Sequence, residues 1–532
     1  MKHTSRPVVV LVLDGYGLSP VSEGNAVASA KQPHMEEYFQ YYPWVGLAAA
    51  GIEVGLPRGE MGNSETGHQN IGSGRVLYQP LPRISLAIED ESFFSNPALV
   101  AAVKHVRKRP DAVLHTMGMV SDGGVHSHID HQIALLKLAA DAGLGDRTFV
   151  HAFLDGRDSP PDSAGNFINQ LVQQIKELKA GRLASMVGRY YAMDRNKNWD
   201  RTRIAYDLLV RGEGEQMSSW QEALKSVFRH EEKRQSYETA QPIIFSDEDT
   251  PPRPIKDGDA VVVYNFREDR SVQLALALTK PSFSRFPVEK WQDLFFVTMT
   301  DYGHGVQAEV AFPAETITAP FGKVVSDKGL KQLRIAESEK FAHVTYFMNG
   351  GREKPFPGEK WLAIPSANVK DYSKKPHMSA EKISEAVIQS IQAGKHDLIV
   401  ANYANPDMIA HTSNFPATVN ALEFLDDQIG RVVESVLAAQ GTILITGDHG
   451  NAEDMMNRLT GESTTDHTTN PVPLIYITPK NRRRKARSES ELEQLAVVPV
   501  GILADVAPTI LDVLGLKTPS EMTSQSLLSS LR

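Results

Sequence analysis

Short apolar, β-branched runs alternate with helix-period stretches along most of the chain. Val8–Leu13, Val113–Met117, Thr148–Leu154, Ala184–Val187, Val261–Tyr264, Leu294–Met299, Leu398–Ala401 and Thr442–Thr446 predict strands. His131–Ala142, Ala164–Ala180, Ala380–Ala393 and Thr418–Ala438 carry the helical spacing. Strands alternating with helices predict an α/β fold with mainly parallel sheets. Two clusters of breakers interrupt this pattern, Gln79-Pro80-Leu81-Pro82 and the stretch from Pro313 to Gly322. They predict a domain over 83–312 inserted into a discontinuous one built from 1–79 and 317–532. No repeat at solenoid spacing is present.

Composition narrows the chemistry. A chain of 532 residues, 41% hydrophobic and 23% charged, is long enough for two or three folded domains. A formal charge of −9 argues against general nucleic-acid binding. There is no cysteine, so disulfides, thiolate catalysis and cysteine-based metal sites are excluded. Any metal must sit on His, Asp, Glu or hydroxyl oxygen. The apolar run at Val8 is too short for a signal segment, and no run of 18 apolar residues suggests a membrane span. A cytoplasmic protein without nucleic-acid or membrane partners is expected. The stretch Lys480-Asn481-Arg482-Arg483-Arg484-Lys485-Ala486-Arg487 reads as a solvated loop, with contact to a polyanion or partner as the alternative.

Three of the strands lead into potential metal ligands. Val8–Leu13 delivers Asp14, Leu398–Ala401 leads to Asp407 and His411, and Thr442–Thr446 delivers Asp448 and His449. Groups beyond the carboxyl ends of parallel strands converge however far apart they lie in sequence. Asp407 and His411, four apart, share one face of a helical turn. His467 could complete one site. Such a set suits two divalent ions, manganese, magnesium or zinc. Ser64, in Gly62-Asn63-Ser64-Glu65-Thr66-Gly67-His68, follows a glycine-bearing turn. It is either a nucleophile at a helix start, where backbone N–H groups favour a phosphoryl group, or only a helix N-cap. His68 reads as structural.

The middle segment carries cations instead. Arg157, Arg189, Arg195, Arg267 and Arg270 all follow predicted strands. Guanidinium forks grip carboxylate and phosphate in pairs of bonds, so five of them predict a small, multiply anionic substrate. Asp158 is a candidate general acid or base, and His126 a candidate substrate contact. His128 reads as structural.

With these stretches, and with His151 to Asp158, Gly188 to Arg195, Asn265 to Arg270, Asn405 to His411 and His467 to Pro473, the chain resembles the cofactor-independent phosphoglycerate mutases of the alkaline phosphatase superfamily. The resemblance implies an alkaline-phosphatase-like, mainly parallel α/β domain with a second α/β domain inserted. It implies one metal on Asp407, His411 and His467 and another on Asp14, Ser64, Asp448 and His449, both manganese. It implies substrate contacts from His126, Arg157, Asp158, Arg189, Arg195, Arg267, Arg270 and Lys340. The implied enzyme is a glycolytic isomerase. It interconverts 3- and 2-phosphoglycerate through a phosphoserine at Ser64, with Asp158 as base, domain closure excluding water, and a monomeric chain. The stretch from Lys480 to Gln494 departs from the family as an insertion. Two rivals remain: a phosphomonoesterase or sulfatase on the same scaffold, and a metal-dependent binding protein without catalysis.

Overall fold

The computed structural model describes residues 7–227, 236–246, 251–303 and 305–532. Residues 1–6, on which part of the reading of the N-terminus rests, lie outside them. The strands of the first half are β1 (Val8–Leu13), β2 (Trp44–Ala48), β3 (Leu114–Met119), β4 (Thr148–Leu154), β5 (Arg182–Gly188), β6 (Glu215–Met217), β7 (Ile243–Phe245) and β8 (Ala260–Val263). The second half adds β9 (Phe295–Thr298), β10 (Glu309–Val310), β11 (Gln332–Glu337), β12 (Glu359–Ile364), β13 (Leu398–Tyr403), β14 (Thr442–Gly447), β15 (Val472–Ile477) and β16 (Gly501–Ile502). The chain divides into a discontinuous unit, Met1–Gln79 with Glu315–Arg532, and a central unit, Pro80–Ala314.

The discontinuous unit is built on a sheet of order β12-β11-β13-β1-β14-β15-β2-β16. β1 lies parallel to both β13 and β14, pairing Leu13 with Tyr403 on one side and Gly447 on the other. Asp14, the turn to Asp407, and Asp448 therefore leave the same edge of the sheet. β15 runs antiparallel to β14 and β2, so the sheet is mixed but mainly parallel. All six residues of β1 are buried because both faces are covered. Val9, Leu11 and Leu13 join a core with Leu422, Ile429 and Val433, while Val8, Val10 and Val12 join one with Val506 and Ile510. Each such side chain contributes about 1.5–3 kcal/mol on burial. That is why the run is continuously apolar and not alternating.

The central unit repeats this plan with order β10-β9-β8-β3-β4-β5-β7-β6. β8, β3, β4 and β5 are adjacent and parallel, and only β5 with β7 is antiparallel. Pro80 does not mark a loop here: Pro80–Glu89 is a helix whose first turn tolerates proline. No helix among the described residues is long and apolar enough to cross a membrane.

The basic stretch is not a free loop. The backbone N–H groups of Arg483 and Arg487 donate to Tyr41 O and Gln40 O, and the Arg487 guanidinium donates to Phe39 O and Tyr42 O at 2.8 and 2.6 Å. These are the carbonyls at the C-terminal end of the helix Pro33–Tyr41, which lack partners within the helix and favour a cation. Arg482 pairs with Glu37 at 3.0 Å and lies over the Tyr41 ring. A capping box at Ser488 and Glu491 then starts the helix Glu489–Val497.

Candidate active site

Two groups of functional side chains stand at the carboxyl edges of the two sheets. In the discontinuous unit, Ser64 is the first residue of the helix Ser64–Ser73, and the cap is Asn63, whose side chain accepts from Thr66 N. The N-cap alternative for Ser64 thus falls. Ser64 Oγ lies 3.0 Å from Asp14 Oδ1, 3.0 Å from His449 Nε2 and 2.7 Å from Lys340 Nζ. Lys340, on the turn after β11, also reaches Asp14 at 2.5 Å and Asp407 at 2.6 Å. The structure therefore places Lys340 in the Ser64 group.

Asp407 is bound by Asn451 Nδ2 at 2.8 Å, with His411 Nε2 at 3.2 Å and His467 Nε2 at 3.3 Å. His467 Nδ1 sits 2.7 Å from Gly62 O, which takes its proton and leaves Nε2 with a lone pair toward Asp407 and His411. Two glycines permit the assembly. A Cβ on Gly15, itself at φ +75°, would meet Asp407 Cα at 2.8 Å, and one on Gly67 would meet Asp448 O at 2.4 Å. Glu453, fully buried, accepts from the backbone of Gly17 and Asn451 and fixes both loops.

Ligand-capable atoms of Asp407, His411 and His467 lie within 4.8 Å of one another, as do those of Asp14, Asp407 and His449, and of Asp14, His68 and Asp448. Three buried carboxylates face one ammonium, and the group recruits cations. Burial disfavours ionised Asp14 and Asp407, yet Lys340 and the histidines hold both below the usual carboxylate range. Burial likewise opposes a charge on His449, but Asp448, Asp14 and Asp407 push it up to about 10. Oxygen and imidazole donors around such a negative centre fit divalent ions.

In the central unit, Arg189 Nη1 lies 2.7 Å from both Asp155 and Asp158. Arg195 and Arg267 both reach Asp269, at 2.9 and 3.2 Å. His126 lies between Asp158 at 3.8 Å and Asp269 at 3.6 Å. Burial, then Arg189, pushes His126 down to about 4, so its ring is neutral. The Arg270 guanidinium is lowered by burial and then by Arg189, Arg195 and Arg157, which shows that these four cations converge. Arg157 is exposed. A cluster of like charges held by flanking acids is a site for an anion. His128 caps the helix Ile129–Asp141.

Sequence reasoning missed the supporting residues: Asn402, Asn451 and Glu453 in one group, Asp155 and Asp269 in the other. Asn402 carried a signal, a polar residue closing an otherwise apolar buried strand.

The comparisons with known proteins decide the family. The Metalloenzyme superfamily profile matches residues 6–518. A 2,3-bisphosphoglycerate-independent phosphoglycerate mutase of Moorella thermoacetica is 46% identical over 525 residues, covering 98% of each chain. One from Clostridium perfringens is 44% identical, covering 99% of this chain and 100% of the relative. The chain belongs to the 2,3-bisphosphoglycerate-independent phosphoglycerate mutases. A solved phosphoglycerate mutase of Leishmania mexicana, crystallised at low cobalt concentration, matches with a TM-score of 0.51 at 28% identity. It covers 98% of this chain and 97% of its own. Among the mutases, then, this chain has a divalent-metal-type centre and an α/β fold.

Proposed function

We propose that the chain interconverts 3-phosphoglycerate and 2-phosphoglycerate, with Ser64 carrying the phosphoryl group between the two oxygens. The observation that carries this reading is the setting of Ser64. Its hydroxyl is held by Asp14, His449 and Lys340 at a helix start, in a chain whose central unit also groups Arg157, Arg189, Arg195 and Arg270, with Arg267 sharing Asp269 with Arg195. The discontinuous unit supplies the nucleophile and metal ligands, and the central unit grips the substrate.

Asp407, His411 and His467 would hold one ion, and Asp14, Ser64, Asp448 and His449 the other; manganese is the proposed metal. Bound divalent ions supply charge neutralisation on the phosphoryl oxygens and a lower pKa for the serine hydroxyl. In the forward direction Ser64 Oγ forms a bond to phosphorus as the bond from phosphorus to the 3-oxygen breaks. The Lys340 ammonium, 2.7 Å from Ser64 Oγ, offsets charge on the group in transit. The proton that the Ser64 hydroxyl gives up passes to the leaving 3-oxygen, and the arginines retain the glycerate through its carboxylate. Asp158 then removes the proton of the 2-hydroxyl, whose oxygen attacks the phosphoserine. In this return step the bond from phosphorus to Oγ breaks and Ser64 Oγ recovers a proton. Arg189 Nη1, 2.7 Å from Asp158 Oδ2, orients the carboxylate for this role. A cytoplasmic, monomeric enzyme working in glycolysis follows from this reading.

The test is incubation with manganese and 3-phosphoglycerate, free of 2,3-bisphosphoglycerate. Appearance of 2-phosphoglycerate supports the mutase, while free glycerate and inorganic phosphate would replace it with a phosphomonoesterase.

A further inference from the structure

Behind Ser64 lie two polar side chains that the reaction above does not use. Asn402 and His68 are both fully buried. Asn402 sits on β13 opposite Val12, with apolar residues before it on the strand. Its Nδ2 donates to Asp14 Oδ2 at 2.7 Å. A carboxylate only accepts, so this contact fixes which end of the amide faces Asp14. The same Nδ2 lies 3.1 Å from His68 Nε2, which must then be the acceptor. The His68 proton is therefore on Nδ1, which points at Asp448 Oδ2 at 3.1 Å and Ser64 O at 2.9 Å. The other oxygen, Asp448 Oδ1, is already taken by the N–H groups of Gly15 and His449. Hydrogen bonds thus run from Asn402 to Asp14 and to His68, and the His68 Nδ1 proton goes to Ser64 O, with Asp448 Oδ2 beside it at 3.1 Å but outside hydrogen-bond geometry. The remaining Asn402 atom, Oδ1, is buried without a partner. An asparagine whose carbonyl is orphaned in a core is retained for its N–H groups. Neither Asn402 nor His68 hydrogen-bonds or ion-pairs with Asp407, His411 or His467; the nearest link is indirect, through Asp14 and the Lys340 ammonium that Asp14 shares with Asp407.

We infer that Asn402 and His68 are positioning residues that hold Asp14 and Asp448 oriented for one divalent ion, the one beside Ser64, and leave the second ion's site untouched. The inference rests on the proposed metal assignment. Such outer partners set metal affinity by roughly 10–100-fold.

The experiment is titration of the full chain, without substrate, with Mn²⁺ alone, following free Mn²⁺ by its paramagnetic resonance signal and unfolding by calorimetry. The wild-type protein is expected to show two binding steps. Asn402→Leu should weaken one of them about 10–100-fold and leave the other unchanged. The metal-free protein should stay folded with a modestly lower unfolding midpoint, since the apolar side chain removes the orphaned carbonyl but also the donor to buried Asp14 Oδ2. His68→Leu should do the same to the same step. His68→Asn, which keeps a donor near the Nδ1 position, should restore most of the affinity. Two wild-type binding steps in both leucine variants would overturn the inference. So would equal weakening of both steps with earlier unfolding, the mark of a structural role alone. A wild-type protein that binds no Mn²⁺ would instead remove the metal assignment beneath it.

Discussion

The two side-chain groups use the same architectural position and opposite physics. In the discontinuous unit, Asp14, Asp407, Asp448, His449, Ser64 and Lys340 are all buried and joined by contacts of 2.5–3.1 Å. In the central unit only Arg189 is buried among the five arginines, and Arg157, Arg195 and Arg267 are exposed. The anionic group is interlocked by its own backbone and by neighbouring acids and amides. The cationic group is tethered by ion pairs to Asp155, Asp158 and Asp269, several of them solvent-facing. A reacting centre gains from fixed geometry and low dielectric, whereas a site that must take up and release its ligand gains from partners that yield.

The contrast can be broken most severely at the nucleophile. Ser64→Ala should lower kcat on the order of 10⁴–10⁶-fold while the fold and phosphoglycerate binding persist. Mass spectrometry of the wild-type protein with substrate should find the phosphoryl group on Ser64 and nowhere in the variant. Removing divalent ions with a chelator should bring activity to background and lower the unfolding midpoint. At an ion concentration 100 times Kd, readdition should restore activity and about 2.7 kcal/mol of stability per independent ion. Arg270→Ala should act differently, raising KM and lowering kcat/KM about 10–100-fold, as loss of one charged hydrogen-bonding partner does. Arg270→Lys should recover little, since an ammonium lacks the fork.

Acid sharpens the comparison. Burial pushes His131 in the central unit down to about 3, and lowers His115 as well. A histidine whose folded pKa lies below its unfolded value contributes stability that is present above about pH 6.5 and lost as pH falls toward the folded value. Asp14 and Asp407 are lowered acids, so their contribution disappears only below about pH 4. His343 in the discontinuous unit is also lowered to about 4, by burial and then His68. Between pH 6 and 4 amide exchange should therefore rise in both units, and more in the central one, which holds His115, His126, His131 and His151. A larger rise around β1, β13 and β14 would contradict the assignment. The smallest effect concerns the docked basic stretch. Arg487→Ala should cost about 1 kcal/mol, near 2 °C in unfolding midpoint, with kcat unchanged.

How far the sequence carried depended on whether a residue's neighbours were local. Thr148–Leu154 and Val8–Leu13 are strands at the residues predicted, since continuous apolar runs declare themselves. β11 was missed: its Arg334 is fully buried only because Glu359 on β12 pairs with it at 3.0 Å, with Phe321 under the guanidinium. β15 was hidden by Pro473, which a central strand seldom tolerates. β13 was cut short at Ala401 because Asn402 looked like its end, whereas that amide is buried by Asp14. The ligand-type side chains were legible as motifs at strand ends. Their counter-ions were not: Asp155 and Asp269 acquire meaning only through Arg189, Arg195 and Arg267. The basic stretch is a loop exposed from Arg482 to Ala486, as its sequence suggested, but its anchoring was not legible, since the carbonyls it caps lie over four hundred positions earlier.

At Gly15 and Gly67 the main chain lies directly against Asp407 and Asp448, with no room for a Cβ. The separation of attacking oxygen and carboxylates is consequently dictated by two missing methyl groups, a ruler that no side-chain rotamer can stretch. Adding one carbon at either glycine would shift the reacting groups apart even in a protein that remains folded.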